Sequence, residues 1–176
     1  MTVSVPLQSA GFDADTAAWI PHDDEDGPSR PVIVSATSVG VVAETSPNVA
    51  HFGGVNDGRA GLFQPIAIPE GAVSLTVTGY RWITTEELGP VALDAMTVEL
   101  WEDAVSPAGL IGQFVSFGND DASSEWVPFS GSVDVSGEGG RTVELDLWAE
   151  TDLSLITEFF VDSLSLSALV CSTGEG

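Results

Sequence analysis

Lysine is absent from this chain, and four arginines, Arg30, Arg59, Arg81 and Arg141, are its whole supply of fixed positive charge. Against them stand 27 acidic residues, for a formal net charge of −23 over 176 residues. A surface of that sign repels phosphate backbones and anionic headgroups, which excludes nucleic acid and membrane surfaces as natural partners and favours cations. Cysteine is nearly absent too. Cys171 stands alone, so no internal disulfide staples the fold, and the thiol is either a buried or reduced group or a link between chains. No hydrophobic run approaches the ~20 residues needed to cross a bilayer, so membrane insertion is not expected. The opening residues MTVSVPLQS have neither the basic nor the apolar stretch of a secretory signal. Either a signal was removed or another export route leads to the expected extracellular or cell-surface location, or the protein stays inside. Helical periodicity is also missing.

What is there is alternation. Hydrophobic residues make up 43% of the chain, enough for a real core, and they recur in period-two runs bounded by Gly, Pro, Asn and Asp clusters. The runs cover residues 3–7, 32–35, 39–43, 49–52, 62–68, 73–85, 95–101, 111–117, 126–135, 142–149 and 158–169. So many short strands in one domain, residues 1–176, predict an all-β fold: a two-sheet antiparallel β-sandwich of jelly-roll type. Val73, Leu75 and Val77, Met96, Val98 and Leu100, and Val143, Leu145 and Leu147 each mark one core-facing side. Thr97, Glu99, Glu144 and Asp146 then face water. The strand within residues 1–10 either folds back on its own sheet or is donated to a neighbouring subunit by edge pairing. The charge run from His22 to Pro28 reads as a solvated loop, since consecutive carboxylates cannot converge on one ion.

In the last run, Phe159 and Val161 keep one apolar phase and Leu164 and Leu166 take the other. One extra residue near Asp162 and Ser163, a β-bulge, accounts for the jump. Asp162 thus sits in an apolar strand and needs a partner, either a cation or backbone N–H groups.

The order of segments is familiar. Gly11-Phe12-Asp13 with Trp19, Ala50-His51-Phe52-Gly53-Gly54-Val55-Asn56, and Leu62 to Pro69 come first. Trp82 to Glu87, Asp94 to Leu100, and Phe159 to Leu166 complete the series. Together these resemble bacterial and archaeal jelly-roll modules related to MAM domains, to the accessory domain of immune-inhibitor-A-type metallopeptidases and to carbohydrate-binding jelly rolls. The resemblance implies bound calcium (Ca2+), with Asp13 and Asp162 as side-chain ligands and carbonyls supplied around His51 and Phe52. Many relatives carry glutamate where Asp13 stands, and Asp15 is the substitute. Carboxylates and carbonyls suit calcium, which takes six to eight hard oxygens. A second acidic group, Glu86, Glu87 and Asp94, is similar to one in the peptidase-associated relatives. It is either a second calcium site or a solvated hairpin tip.

Tyr80, Trp82, Trp101 and Trp148 fall in the off-core phase of their strands. Large rings on an outer face mark an interface or a ligand platform, unless a bulge at Gly79 turns Tyr80 and Trp82 inward. Trp19 and Trp126 read as packing residues. Neither His22 nor His51 stands in a recognisable catalytic motif, and Glu86 with Asp94 is the least implausible hydrolytic pair, so a non-enzymatic protein is expected. Two functions fit: a calcium-stiffened, self-associating protomer of an extracellular filament or matrix, or a glycan-binding module in which Trp82, Trp101 or Trp148 stacks on sugar rings.

Overall fold

The computed structural model of the chain describes residues 1–13, 16–22, 32–45, 47–89, 91–102 and 109–171. Its strands are β1 (Thr2–Val5), β2 (Ile20–Pro21), β3 (Ile33–Ser35), β4 (Asn48–Gly53), β5 (Arg59–Ala67) and β6 (Ala72–Thr85). They continue with β7 (Ala95–Trp101), β8 (Leu110–Gly118), β9 (Val127–Asp134), β10 (Thr142–Glu150) and β11 (Thr157–Val170). Among the described residues, helix is confined to short 3-10 turns at Thr16–Ala18, Ala36–Val39 and Asn119–Asp121.

Two antiparallel sheets result. One runs β3-β4-β11-β6-β9 and the other β2-β5-β10-β7-β8. β11 pairs with β6 along its whole length. Its other edge is shared by β4, at residues 158–161, and by β1, at residues 166–169. In this chain the N-terminal strand completes its own sheet. The core between the sheets takes Phe159, Val161, Leu164, Leu166 and Ala168 from β11. Facing them are Met96, Val98 and Leu100 of β7 and Val143, Leu145 and Leu147 of β10. Full burial of each such leucine or phenylalanine stabilises the fold by about 1.5–3 kcal/mol. The alternation predicted for β7 and β10 holds; in β6, Leu75 and Val77 are buried and Val73 is only half-buried.

Two local readings are corrected. Residues 39–43 are not a strand: the turn at Ala36–Val39 ends at Gly40, whose φ of 78° takes the left-handed conformation that breaks an edge. The following residues lie on the outside of the six-stranded sheet, where Ala36, Val41, Val49 and Phe160 build a second, smaller core. Asp146 does not face water; it is 4% exposed, because His22 lies over it. The bulge in β11 is where the apolar phase put it. Pairing passes from Asp162 opposite Tyr80 to Ser165 opposite Thr78, with Ser163 at φ 55°. Cys171 is an exposed free thiol.

Candidate functional site

The bulge aims Asp162 at the N-terminal segment. A Cβ on Gly11 would sit 3.4 Å from Asp13 Oδ2 and 3.8 Å from Asp162 Oδ1, so the two carboxylates flank this glycine. Asp162 is fully buried. It accepts hydrogen bonds from Thr45 N (2.8 Å), Thr45 Oγ1 (3.0 Å) and Ser163 N (2.6 Å). Burial pushes its carboxyl above the ordinary carboxylate value, the Thr45 and Ser163 donors pull it back, and the charge of Asp13 adds to the push. Asp13 Oδ1 accepts from Asn48 N (2.9 Å).

His51 and Phe52 are not part of this site. They lie in β4 opposite Phe160 and Phe159, where pairing with β3 and β11 engages the backbone. His51 stacks on Phe160, with ring centroids 4.7 Å apart, and its Nε2 lies 3.1 Å from Glu158 Oε1. The chain that meets Asp13 and Asp162 is around Thr45 and Asn48 instead. Asp15 lies outside the described residues.

The second acidic group converges with one change of membership. Ligand oxygens of Glu87, Asp94 and Asp152 lie within 4.8 Å of one another. Glu86 turns aside toward Ile156 N (3.4 Å). Asp94 is fully buried; Oδ1 accepts from Asp152 N (2.7 Å), and Oδ2 has no hydrogen-bond partner. Asn119 Oδ1 accepts from both Leu93 N and Asp94 N, fixing that turn. A buried carboxylate oxygen without a donor is costly unless a cation meets it. The three carboxylates can hold a metal ion, and their spacing suits a hard cation that gathers oxygens at short range. Asp152 escaped the sequence reading because register supplies it: Glu150 pairs with Ala95, which sets residue 152 beside residue 94.

The off-phase aromatics divide between two faces. Trp82 is not a platform: it packs with Trp126 against the second core, the two indoles edge to face at 5.8 Å. Trp126 donates to Val42 O, while Trp82 Nε1 is buried without an acceptor. Tyr80, half-buried, shares that sheet, and β6 pairs through Gly79 with no shift of register toward β9.

Trp101 and Trp148 share the outer face of the five-stranded sheet. Trp101 lies opposite Glu144, and Asp146 lies opposite both Glu99 and Phe63. Glu144, Asp146 and Trp148 alternate along β10, so the two indoles stand about 13 Å apart along the strand, at ~3.3 Å per residue, with Asp146 midway. Each indole N–H is held by a carboxylate two residues away: Trp101 by Glu99 (2.9 Å) and Trp148 by Glu150 (3.3 Å). His22 donates from Nε2 to Asp146 Oδ1 at 2.8 Å and sits among Phe63 and Trp148, at 5.1 and 5.2 Å between ring centroids. Gly61 leaves the space: a Cβ there would come within 2.5 Å of His22 Cδ2 and 2.6 Å of Trp148 Cε3. Sequence reasoning missed this His22–Asp146 pair and Phe63, since residues 124 apart meet only through β2 and β5.

No protein-family model matches the chain, and no curated protein matches it in sequence. Solved structures do match it in fold. A Stig cyclase from Fischerella sp. TAU, solved with (3Z)-3-(1-methyl-2-pyrrolidinylidene)-3H-indole, is 18% identical with a TM-score of 0.63, over 98% of this chain and 100% of that one. The carbohydrate-binding module TmCBM61, solved with β-1,4-galactotriose, is 14% identical with a TM-score of 0.57, over 91% and 95%. A family 16 carbohydrate-binding module is 11% identical with a TM-score of 0.57, over 91% and 97%. The expectation of a non-enzymatic protein is overturned by the first of these: the same sandwich, matched over its full length, is the fold of a cyclase, so missing catalytic motifs do not exclude catalysis. What this chain shares with all three is the β-sandwich fold.

Proposed function

We propose that this domain binds calcium and recognises a glycan laid across β10 on the outer face of the five-stranded sheet. The observation that carries the reading is one face presenting two half-buried indoles, with Glu99 between them and Glu144 beside Trp101. Indoles stack on the apolar faces of sugar rings, and carboxylates accept hydrogen bonds from hydroxyls. Because the face and the chain are acidic, the ligand is a neutral glycan. The fold of the sugar-binding modules, one of them solved with a galactotriose, supports this assignment.

The ion we propose for Glu87, Asp94 and Asp152 is calcium, held for stability; Asp13 and Asp162 form a second candidate pair. An extracellular location agrees with both ligands, and kinship to the MAM-related modules rests on the order of motifs. Titration calorimetry against neutral and uronic-acid oligosaccharides tests the glycan assignment. Binding of a neutral oligomer, weakened about tenfold in Trp148→Ala, is expected; binding confined to acidic chains, or unchanged in that variant, refutes it.

One observation favours a second reading of the same face. A histidine hydrogen-bonded to a nearly buried aspartate between aromatic walls is equipped to move a proton. If the face is catalytic, Asp146→Asn retains ligand binding and loses turnover of the bound compound; if it only binds, the variant alters affinity alone.

A further inference from the structure

A cavity of about 400 Å³ opens where β8 and β9, the edge strands of the two sheets, come together. Glu102, Leu110 and Ile111, at the end of β7 and the start of β8, form one wall; Asp134, Ser136 and Glu138, at the end of β9 and in the turn after it, form the other. That volume is in the range of small-ligand sites. Arg141 ties the walls together, pairing with Glu102 (3.1 Å) and with Glu138. Asp134 accepts from Ser136 N (2.8 Å). Ser136, through its backbone N–H first and its hydroxyl second, holds that carboxyl below the ordinary carboxylate value, so an ionised acceptor stays fixed at the wall.

Register joins this cavity to the glycan face. Leu110 pairs directly with Trp101, which sets the two side chains about 5 Å apart on the same face, and Leu110 is 49% exposed. Arg141 lies three residues before Glu144, the partner of Trp101, or about 10 Å farther along the strand direction. A ligand lying along β10 from Trp148 to Trp101 is therefore aimed at the cavity. The lining decides what enters. Leu110 and Ile111 offer an aliphatic surface, and the carboxylates of Glu102, Asp134 and Glu138 keep lone pairs beyond those that Arg141 and Ser136 engage. A sugar residue divides in the same way, into C–H surface and hydroxyl donors. A uronic acid would meet like charge, and the guanidinium already answers Glu102 and Glu138, which lowers the pull on a second cation. We infer that the cavity is an end subsite, which captures the terminal residue of a neutral oligosaccharide lying over Trp148 and Trp101. The inference rests on the glycan reading of the outer face and adds to it a length and an end.

Calorimetry of the full chain against short and long galacto-, gluco- and manno-oligosaccharides tests it, with chitosan oligomers as the cationic probe. The longer neutral oligomer is expected to bind about tenfold more tightly than the shortest that binds. Ser136→Trp, which fills the cavity from an exposed position, is expected to erase that gain and leave the short oligomer's affinity unchanged. Asp134→Asn, which keeps an acceptor for Ser136 N and the shape of the wall, is expected to cut the gain several-fold. Trp148→Ala is expected to weaken short and long oligomers alike. Neutral oligomers that bind with no gain on length, or with a gain that survives both cavity variants, overturn the end subsite and leave the glycan face standing. Absence of any neutral binding removes the face and the subsite together. Binding of chitosan oligomers alone, lost in Ser136→Trp, overturns the neutral subsite and assigns the cavity to a cationic group.

Discussion

Both sheets carry tryptophans on their outer faces, yet the two faces have opposite fates. On the six-stranded sheet, Trp82 lies beneath the segment that runs through Val41 to Ala43 and joins Phe160 and Trp126 in a second core. On the five-stranded sheet, Trp101 and Trp148 keep their indole N–H groups on neighbouring carboxylates and leave their ring surfaces half-buried. Strand phase therefore tells which face a ring occupies, and a separate stretch of chain decides whether that face is packing or platform.

The largest effect that sharpens this contrast is on the covered face. Phe160→Ala empties a site that is 1% exposed and removes the ring stacked on His51. It should cost about 3–5 kcal/mol in chemical denaturation and leave glycan affinity unchanged.

Asp162→Ala comes next. Three donors from Thr45 and Ser163 lose their acceptor, for about 3 kcal/mol, and the thermal shift on adding calcium should shrink to the part supplied by Glu87, Asp94 and Asp152. A variant that keeps the full calcium shift shows that Asp162 is no ligand. Its pH dependence has a definite sign. The folded carboxyl titrates above its unfolded value, so the folded state holds the proton more tightly. In chelator, this group's contribution is therefore greatest below the ordinary carboxylate range and declines as pH rises through the folded value. Melting curves of Asp162→Asn against pH should lack that decline, and a cation beside Asp13 should suppress it in the unaltered protein.

On the open face the expected loss is in binding. Trp148→Ala and Trp101→Ala should each weaken a neutral oligosaccharide about tenfold, near 1.4 kcal/mol, while moving the denaturation midpoint far less than Phe160→Ala. Equal losses of stability on the two faces would erase the distinction between them. The smallest effect is at Arg59, whose pairing with Glu150 is exposed on both sides. Arg59→Ala should change stability by less than about 0.5 kcal/mol.

Period-two patterning made nearly every strand legible, because both sheets have one face against a common core. Even the bulge could be read, from the phase change between Val161 and Leu164. The same logic misread residues 39–43, whose apolar residues pack on the outside of a sheet, and it overlooked β2, whose two residues are too few to show a period. The sites were half-legible. Asp162 is flagged by its place in an apolar run, whereas Asp13, Glu87 and Asp94 are flagged by the order of motifs that resembles the jelly-roll modules. Asp152, Phe63 and the His22–Asp146 pair depend on which strands lie side by side, and nothing local in the sequence encodes that neighbour relation.

The placement of β11 bears on how the molecule comes into being. This strand is the common neighbour of β1, β4 and β6, and Thr2 aligns with Leu169, so one sheet stays without its spine until residues 157–170 are available. Closing loops of that length before any reward arrives places such a chain among the slow folders, in the range of milliseconds to seconds or longer. During synthesis β4 and β6 wait with bare edges, a window in which crowding by other nascent chains is most hazardous and early dilution most helpful.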